Sequence, residues 1–428
     1  MSEKRLPAVP ISDSDRSRFA ADIADAVEWL AGFGADESGG VTRLLYGKAW
    51  CAAQKALADR MAAGGLSPYY DDCGNLFGRL QGRDPDAAPL LTGSHVDTVV
   101  CGGKLDGAYG ILAGMIALEF LRDKFGPPLR TIEVVSLCEE EGSRFPLTYW
   151  GSGNICGKYD IAAVPPVCDK DGVSLKEAME AVGFGKGAYR PPRREKLAGF
   201  IELHIEQGSV LEREKLSLGI VEGIVGQRRF TVRVGGVANH AGTTPMDGRQ
   251  DAVAGAAEMI SWLEKGALLG GGGLVATTGK LEVLPNVANV IAGEVTFTVD
   301  VRDKDEEELD RFCGLFRRAF AEIAARRKLT VGFDEWMNAA PIRMDADMNR
   351  TMASICDAHA YAYRTMYSGA GHDAQVFQAV CPTTMLFVPS RAGVSHSPAE
   401  YSEPEHLADG IAALAEWLFL YGYKEGFR

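Results

Sequence analysis

The sequence predicts an α/β protein: a mixed, largely parallel sheet domain interrupted by a small α+β domain of the order β-α-β-β-α-β. Short apolar runs, typical of buried strands, alternate with helical patterns near both ends of the chain, which indicates a layered α/β domain. Between them, strands alternate between apolar and polar residues, as half-exposed antiparallel strands do. We therefore expect one domain over residues 1–219 and 337–428, and an inserted domain over residues 220–336.

The elements of the first part follow from apolar spacing and from short apolar runs. Apolar residues three and four positions apart predict helices, and uninterrupted apolar runs predict buried strands. In chain order, we expect helices over 15–33 and 42–63, a strand over 89–93, a helix over 106–124, and strands over 131–138 and 199–204.

The same reasoning continues through the inserted part and back into the α/β pattern. Strict alternation predicts strands over 229–234 and 293–302, and a further strand is expected on the other side of Pro285 from the second of these. The remaining expected elements are helices over 251–264 and 306–327, a strand over 329–333, a helix over 348–361, a strand over 383–388 and a helix over 405–421.

Composition excludes several classes of function. The 428 residues carry a net charge of −13, so the molecule as a whole repels nucleic acid and anionic membranes. The apolar stretch over residues 110–121 is too short to span a bilayer, and the first residues lack the apolar segment of a secretory signal. Nine cysteines without a CxxC pair indicate reduced thiols. We expect a cytoplasmic protein without a nucleic-acid or membrane partner.

Histidines and carboxylates follow the ends of the predicted strands. His95 and His204 each end a strand, the acids 139–141 follow another, and His396 lies in a loop beyond a fourth. Asp106 stands at the start of a predicted helix. Parallel strands bring such residues to one edge of a sheet. Imidazole and carboxylate ligands without thiolate suit Zn²⁺, Mn²⁺ or Co²⁺, which predicts a metal site.

Five ligands are enough for two cations that share one carboxylate. Taken singly, each histidine is more often a core or surface residue, but three acids directly after a buried strand are costly to bury without a cation. Asp97 is placed to bond the far ring nitrogen of His95 and hold its orientation. The proposed sets are His95, Asp106 and His204 on one ion, and Asp106, Glu141 and His396 on the other.

Six motifs in order resemble the di-zinc aminoacylase and carboxypeptidase-like metallopeptidase superfamily, and within it the hydantoinase/carbamoylase branch. The resemblance extends from about residue 40 to the end, and it implies that the inserted domain is a lid that also forms a homodimer. The motifs are SHVDTVVCGGKLDGAYG, EEEGSRF, HIEQG, ANHAGTTPM, SGAGHDA and SHSPAE.

The resemblance also implies roles for individual residues. Glu140 matches the general base and Glu141 the ligand, with Glu139 in support. His240 matches a histidine that reaches the neighbouring subunit's active site and helps to stabilise the tetrahedral oxyanion. The implied substrate contacts are Gln207 to the ureido group, Arg302 to the substrate carboxylate, Asn289 through its side chain and Gly371 through its backbone.

The branch contains allantoate amidohydrolases, N-carbamoyl-L-amino acid amidohydrolases and β-ureidopropionases. The motif context favours allantoate, cleaved to ureidoglycine, ammonia and CO₂, with N-carbamoyl-L-amino acids as the alternative and β-ureidopropionase activity third. Cys101 stands where asparagine is common in the branch. The expected cofactors are two divalent ions, zinc or manganese, with cobalt or nickel as further candidates. A non-catalytic metal-binding or regulatory protein and a plain peptidase are less favoured, because Glu140 and Arg302 respectively argue against them.

Overall fold

A computed structural model describes residues 11–426 of the chain. Residues 1–10, on which the expectation about a secretory signal falls, lie outside the described residues, as do residues 427–428. The chain divides into two compact units. The first comprises Met1–Glu222, Met344–Met366 and Gly371–Arg428, and the second comprises Gly223–Arg343 and Tyr367–Ala370.

The helices carry side-chain caps at several of their starts. Ser12 forms a capping box with Asp15, and Asp305 and Asp345 each accept two backbone N–H groups, which satisfies donors that a helix start leaves open. Across residues 11–426 the helices are α1 (Asp13–Ala31), α2 (Lys48–Ala63), α3 (Ala108–Phe125), α4 (Trp150–Cys156), α5 (Leu175–Ala181), α6 (Val210–Glu214), α7 (Ala252–Gly270), α8 (Glu306–Arg326), α9 (Ala346–Ala358), α10 (Ala374–Phe377) and α11 (Pro404–Tyr423).

The expected start of the second helix at residue 42 is wrong. Gly47 is the N-cap residue of α2, and Tyr46 before it has a left-handed φ of 57°. Thr42 donates its backbone N–H to the Gly34 carbonyl instead of joining a helix. The apolar spacing therefore continued into a segment whose backbone pairs elsewhere.

The strands of the described residues form two main sheets and a two-stranded ribbon. They are β1 (Ser67–Tyr70), β2 (Leu76–Leu80), β3 (Leu90–His95), β4 (Ile132–Leu137), β5 (Gly199–Ile205), β6 (Leu218–Ile224), β7 (Gly226–Gly235), β8 (Asn239–His240), β9 (Val275–Thr277), β10 (Leu281–Leu284), β11 (Val290–Ile291), β12 (Glu294–Asp303), β13 (Thr330–Ala339), β14 (Ile342–Arg343), β15 (Tyr363–Ser368) and β16 (Thr383–Val388).

The sheet of the first unit has the order β1-β2-β4-β3-β5-β16-β6. Its four central strands, β4, β3, β5 and β16, are parallel, whereas the outer pairings are antiparallel. Every residue of those four strands is buried, and this explains why their apolar residues do not alternate with exposed polar residues. The predicted α/β class with a mixed, largely parallel sheet is confirmed. The carboxyl ends of β3, β4, β5 and β16 lie at one edge.

The second unit is an antiparallel sheet with two helices. Its strand order is β10-β12-β7-β13, and β9 also pairs with β12. Helices α7 and α8 cover one face of the sheet. There, alternate residues of β7 and β12 pack against the buried apolar side chains of α8. The core contains Phe230, Val232, Phe297, Val299, Phe316 and Phe320.

Among residues 11–426 we find no helix with both the length and the apolar character needed to cross a bilayer. The cytoplasmic location stays a prediction.

Candidate metal centre

Three buried side chains from separate elements of the first unit meet at the carboxyl edge of its sheet. His95 is the last residue of β3, His204 lies near the end of β5, and Asp106 lies in the loop before α3. The Asp106 Oδ1 atom is 3.6 Å from His95 Nε2 and 3.2 Å from His204 Nε2. These atoms lie close enough together to bind one cation.

A second group uses the other oxygen of the same carboxylate. Asp106 Oδ2 is 3.0 Å from His396 Nε2, which is itself 3.3 Å from Glu141 Oε1. Burial alone would raise the pKa of Asp106, but hydrogen bonds with His204, His396 and His95 hold that pKa well below its usual value. A carboxylate with one oxygen in each cluster has the geometry of a bridge between two cations.

The histidines are oriented by contacts at their other ring nitrogen. His95 Nδ1 is 3.3 Å from the Asp97 carboxylate, and His204 Nδ1 is 2.9 Å from the Ile205 carbonyl oxygen. Both contacts leave Nε2 facing Asp106. The donor set and its orientation fit divalent cations, because metal-binding imidazoles commonly donate their second N–H in this way.

Asp97 also shapes the turn after β4. Its two carboxylate oxygens accept the backbone N–H groups of Glu140 and Glu141, at 3.0 and 3.1 Å. The side chain is buried, so it contacts His95 and the acidic turn within one enclosed space. One carboxylate therefore connects the histidine of the first cluster with the turn that supplies Glu141 to the second.

Glu140 is buried beside these clusters and belongs to a third possible grouping with His95 and Glu141. Burial raises the pKa of the Glu140 carboxyl well above its usual value, although His95 opposes the rise. Burial, together with the charge of Asp97, likewise raises the pKa of Glu139. An anionic Glu140 in this position needs nearby positive charge, which a bound cation would supply.

Sequence reasoning did not identify Tyr149 as a site residue. Tyr149 directly precedes α4. Its hydroxyl faces the Glu140 carboxyl, and burial raises the pKa of that hydroxyl, with the charge of Glu140 adding to the rise. A Cβ on Gly371 would lie 2.1 Å from the Tyr149 hydroxyl oxygen, so any other residue there would displace that hydroxyl. Tyr149 itself has a left-handed φ of 61°, a strained conformation of the kind that clusters at functional sites. The aromatic run Tyr149-Trp150 was visible in the sequence, but nothing in it indicated this contact.

Gln207 lies beside the Asp106 carboxylate, and its backbone has a left-handed φ of 56°. Its side-chain amide donates to Asp106 Oδ2 at 3.0 Å and to Ser395 Oγ at 3.1 Å. The residue predicted to contact the ureido group thus also braces the shared carboxylate. Glu400, a second residue that sequence reasoning missed, contacts the same loop through the backbone of Asp106.

Three predicted site residues belong to the second unit: the substrate contacts Arg302 and Asn289, and His240, which is predicted to stabilise the oxyanion. Arg302 donates to both Asp300 oxygens, at 3.0 Å each, and to the Gly369 carbonyl at 2.6 Å. Asp300 accepts a further hydrogen bond from Arg229 at 2.8 Å. An open cavity of about 540 Å³ is lined by Arg229, Thr277, Thr298, Asp300, Arg302 and Trp336.

His240 and Asn289 lie close together at the short ribbon of β8 and β11: His240 is the last residue of β8, and Asn289 directly precedes β11. His240 pairs with Val290, and the Asn289 carbonyl accepts the backbone N–H of Ala241 at 3.0 Å. The ring Nδ1 of His240 accepts the backbone N–H groups of Gly242 and Thr243, at 3.0 and 3.2 Å. The Nε2 atom is therefore the protonated nitrogen of the neutral ring, and both side chains are exposed.

A family model described as peptidase family M20/M25/M40 matches residues 91–419. The chain belongs to this family. The predicted superfamily is confirmed, and M20 proteins are metal-dependent hydrolases. The buried ligand cluster of the first unit agrees with that chemistry.

Similar proteins place the chain more narrowly within the M20 family. It is 43% identical to an allantoate amidohydrolase of Escherichia coli (strain K12), over 96% of this chain and 100% of that protein. It is 45% identical to an allantoate amidohydrolase of Bacillus subtilis (strain 168), over 94% and 97%. An N-carbamoyl-L-amino-acid amidohydrolase of Paenarthrobacter aurescens is 36% identical, over 91% and 94%. A hydantoinase/carbamoylase family amidase from Burkholderia multivorans has a TM-score of 0.88 at 34% identity, covering 93% and 97%.

Proposed function

We propose that this chain is a metal-dependent amidohydrolase that acts on the ureido C–N bond of allantoate. One allantoate and one water would give ureidoglycine, ammonia and CO₂. The observation that carries the choice of substrate is the likeness to allantoate amidohydrolases at 43% and 45% identity over nearly the whole chain. N-carbamoyl-L-amino acid amidohydrolases are similar at 33–37%, which makes N-carbamoyl-L-amino acids the second candidate substrate.

Two divalent cations, zinc or manganese with cobalt or nickel as alternatives, form the proposed cofactor. His95 and His204 would hold one ion, Glu141 and His396 the other, and Asp106 would contact both. What supports this assignment is that each Asp106 oxygen faces a different cluster. When bound, such a pair lowers the pKa of a water from 15.7 to roughly 7 and polarises the scissile carbonyl.

Glu140 is the proposed general base. It would accept the proton of the attacking water and deliver it to the departing nitrogen, so that the C–N bond breaks as the proton arrives. Its support is its position: it lies beside the ligand clusters, whereas its neighbour Glu141 faces His396. Tyr149 would orient the Glu140 carboxyl through its hydroxyl.

The proposed substrate contacts divide by the charge they recognise. Arg302 would bind the substrate carboxylate through its planar fork of donors. Support comes from Arg229, which shares Asp300 with Arg302 and so leaves the lining of this cavity with a net positive charge. Gln207 and the backbone of Gly371 would contact the ureido group, and Asn289 would bond the substrate.

His240 would donate its Nε2–H to the oxyanion that forms as the carbonyl is attacked. The two backbone N–H groups on its Nδ1 support this role, since they direct the proton to the exposed nitrogen. We propose that it acts in the active site of a second copy of the chain.

The second unit, as the proposed lid, is also the proposed homodimer contact. Strand β10 lies at an edge of the antiparallel sheet, and its Leu281 and Leu284 are 54% and 59% exposed. An exposed apolar edge strand is prone to pair with another chain, and a second copy would cover it. Sedimentation of the intact protein measures the expected dimer, and a monomer at micromolar concentration would contradict it.

Ammonia release from purified, Mn²⁺-loaded protein tests the substrate assignment directly. Allantoate and a series of N-carbamoyl-L-amino acids are assayed in parallel, with Glu140→Gln as the inactive control. The proposal expects a larger kcat/KM for allantoate. Turnover of a carbamoyl amino acid without turnover of allantoate would replace the first substrate by the second. Dipeptides are assayed separately by the release of free amino acids, and hydrolysis of dipeptides alone would make the protein a peptidase.

A further inference from the structure

A carboxylate with no assigned role lies behind the metal cluster of the first unit. Glu400 is 6% exposed and follows the loop that carries His396. Its Oε1 atom accepts the backbone N–H groups of Leu105 and Asp106, at 2.8 and 3.0 Å. Its Oε2 atom accepts the Ser395 hydroxyl at 2.8 Å. One side chain thus binds the backbone of Asp106 and the neighbour of His396.

The contact with Ser395 closes a ring of hydrogen bonds around Asp106. Ser395 Oγ also accepts from Gln207 Nε2, at 3.1 Å, and Gln207 Nε2 donates to Asp106 Oδ2 at 3.0 Å. Asp106 is therefore held at its backbone by Glu400 and at its carboxylate by Gln207. Ser395 joins these two braces to the loop of His396.

The loop opposite leaves room for this carboxylate. A Cβ on Gly103 would lie 2.0 Å from Glu400 Oε1, so any other residue there would displace the side chain from the Leu105 and Asp106 N–H groups. The approach of Glu400 to that backbone therefore depends on a glycine in the motif that also contains Asp106.

The two ligand clusters differ in how firmly they are enclosed. His95 and His204 are buried within strands β3 and β5, whereas the His396 side chain is 49% exposed on a loop. The His396 backbone also has a left-handed φ of 54°. Its position therefore depends on the anchoring of its own loop more than the positions of the strand histidines do.

We propose that Glu400 is a positioning residue that holds Asp106 and His396 at the spacing required by the second cation. The inference rests on the proposed two-ion site. Loss of Glu400 frees the His396 loop and loosens the Asp106 backbone, while His95 and His204 stay fixed by their strands. The cation of Asp106, Glu141 and His396 is then lost before the cation of Asp106, His95 and His204.

Metal binding by the whole chain is the measurement, with Mn²⁺ or Zn²⁺ titrated into apo protein and bound metal counted by mass spectrometry. The wild type is expected to take up two ions. Glu400→Ala is expected to keep one and to bind the second more than tenfold more weakly. Glu400→Gln is expected to keep both, because its carbonyl can accept both backbone N–H groups and its amide can donate to Ser395.

Asp345→Ala is the matched control. Asp345 also accepts two backbone N–H groups, at the start of α9, and its removal is expected to lower stability without changing metal uptake. If Glu400→Ala does not fold, Ser395→Ala is the second variant. It removes the hydrogen bonds of Ser395 with Glu400 and Gln207 but keeps the bonds of Glu400 to the backbone of Asp106, and it is expected to weaken the second ion severalfold.

The outcomes separate this inference from the proposed function. Two ions with unchanged affinities in Glu400→Ala, or in Ser395→Ala if the former does not fold, would overturn the positioning role. A second ion lost equally in Glu400→Gln would also overturn it, since charge rather than position would then matter. Fewer than two ions in the wild type would refute the two-ion site itself. Two ions without allantoate turnover would refute only the substrate.

Discussion

The substitution Gly371→Ala is expected to slow turnover about 100-fold without removing a polar group. The added Cβ would lie 2.1 Å from the Tyr149 hydroxyl oxygen, about 1.3 Å closer than the 3.4 Å at which ordinary contact begins. The Gly371 backbone is not in the left-handed region, so alanine introduces no backbone strain of its own. The clash must therefore move the hydroxyl that contacts Glu140.

The magnitude follows from that displacement. A misplacement of about 1 Å in a group that orients the reaction costs roughly 100-fold in rate, or about 2.7 kcal/mol in activation free energy. The assay is kcat and KM for ammonia release from allantoate, with bound metal and the urea midpoint measured on the same preparation. We expect kcat to fall while KM, metal content and stability change little.

The same Gly371→Ala substitution made in a Tyr149→Phe variant tests whether the hydroxyl causes the loss of activity. Without the hydroxyl, the nearest remaining atoms to the new Cβ are Gln375 Oε1 at 3.1 Å and the ring carbon Cζ at 3.4 Å, which the site can accommodate. Gly371→Ala should then cost little beyond Tyr149→Phe alone, giving strong coupling in the double-mutant cycle. Wild-type kcat in Gly371→Ala, or the same 100-fold loss in both backgrounds, would refute the reasoning.

Three further changes have defined outcomes. Glu140→Gln should lower kcat by about 10²–10⁴-fold and leave metal content intact; a kcat near that of the wild type would remove Glu140 as the base. In the metal-free chain, hydrogen bonds with Asp106 and Glu141 raise the pKa of His396 to about 10. A cation must displace that proton, so metal affinity measured by chelator competition should rise from pH 6 to pH 9, and a flat profile would contradict it. The protonated His396 ring stabilises the metal-free fold. This contribution is fully present below about pH 6.5, the pKa of histidine in the unfolded chain, and it is lost as the pH rises towards 10. Cys101 has a left-handed φ of 53°, which asparagine adopts more readily, so Cys101→Asn should raise the free energy of unfolding by up to about 1 kcal/mol; an unchanged or lower urea midpoint would count against it.

The central strands were predictable because each is buried on both faces. An apolar run as short as that of β16 favours a buried strand over a helix, which would need a longer segment. Strands β1 and β15 were missed because they are only partly buried and lack a continuous apolar run. Strand β6 is buried, but its glycines interrupted the apolar pattern.

The meeting of the histidines and carboxylates at the candidate metal centre was predictable for a related reason. Parallel strands bring their carboxyl ends to one edge, so residues distant in sequence could be expected to meet there. Contacts between loops follow no such rule. Glu400 and Asp106 are separated by 294 positions, and nothing in either loop's sequence indicates that a carboxylate of one binds the backbone of the other. Tyr149 was missed likewise, since its contact depends on a left-handed backbone within a loop.

The chain leaves and re-enters the first unit at neighbouring points. The backbone N–H of Met344 donates to the carbonyl of Glu222 at 2.9 Å, although 121 residues of the second unit, Gly223–Arg343, lie between them. The two ends of this segment lie so close together that a tight hairpin turn could join them if the segment were removed. The segment can therefore be replaced by that of a relative without moving the strands of the first unit. If Arg302 and Asn289 make the proposed substrate contacts, grafting this segment between relatives would change substrate preference, whereas the proposed metal ligands of the first unit would stay with the recipient, which gives a modular route to new amidohydrolases.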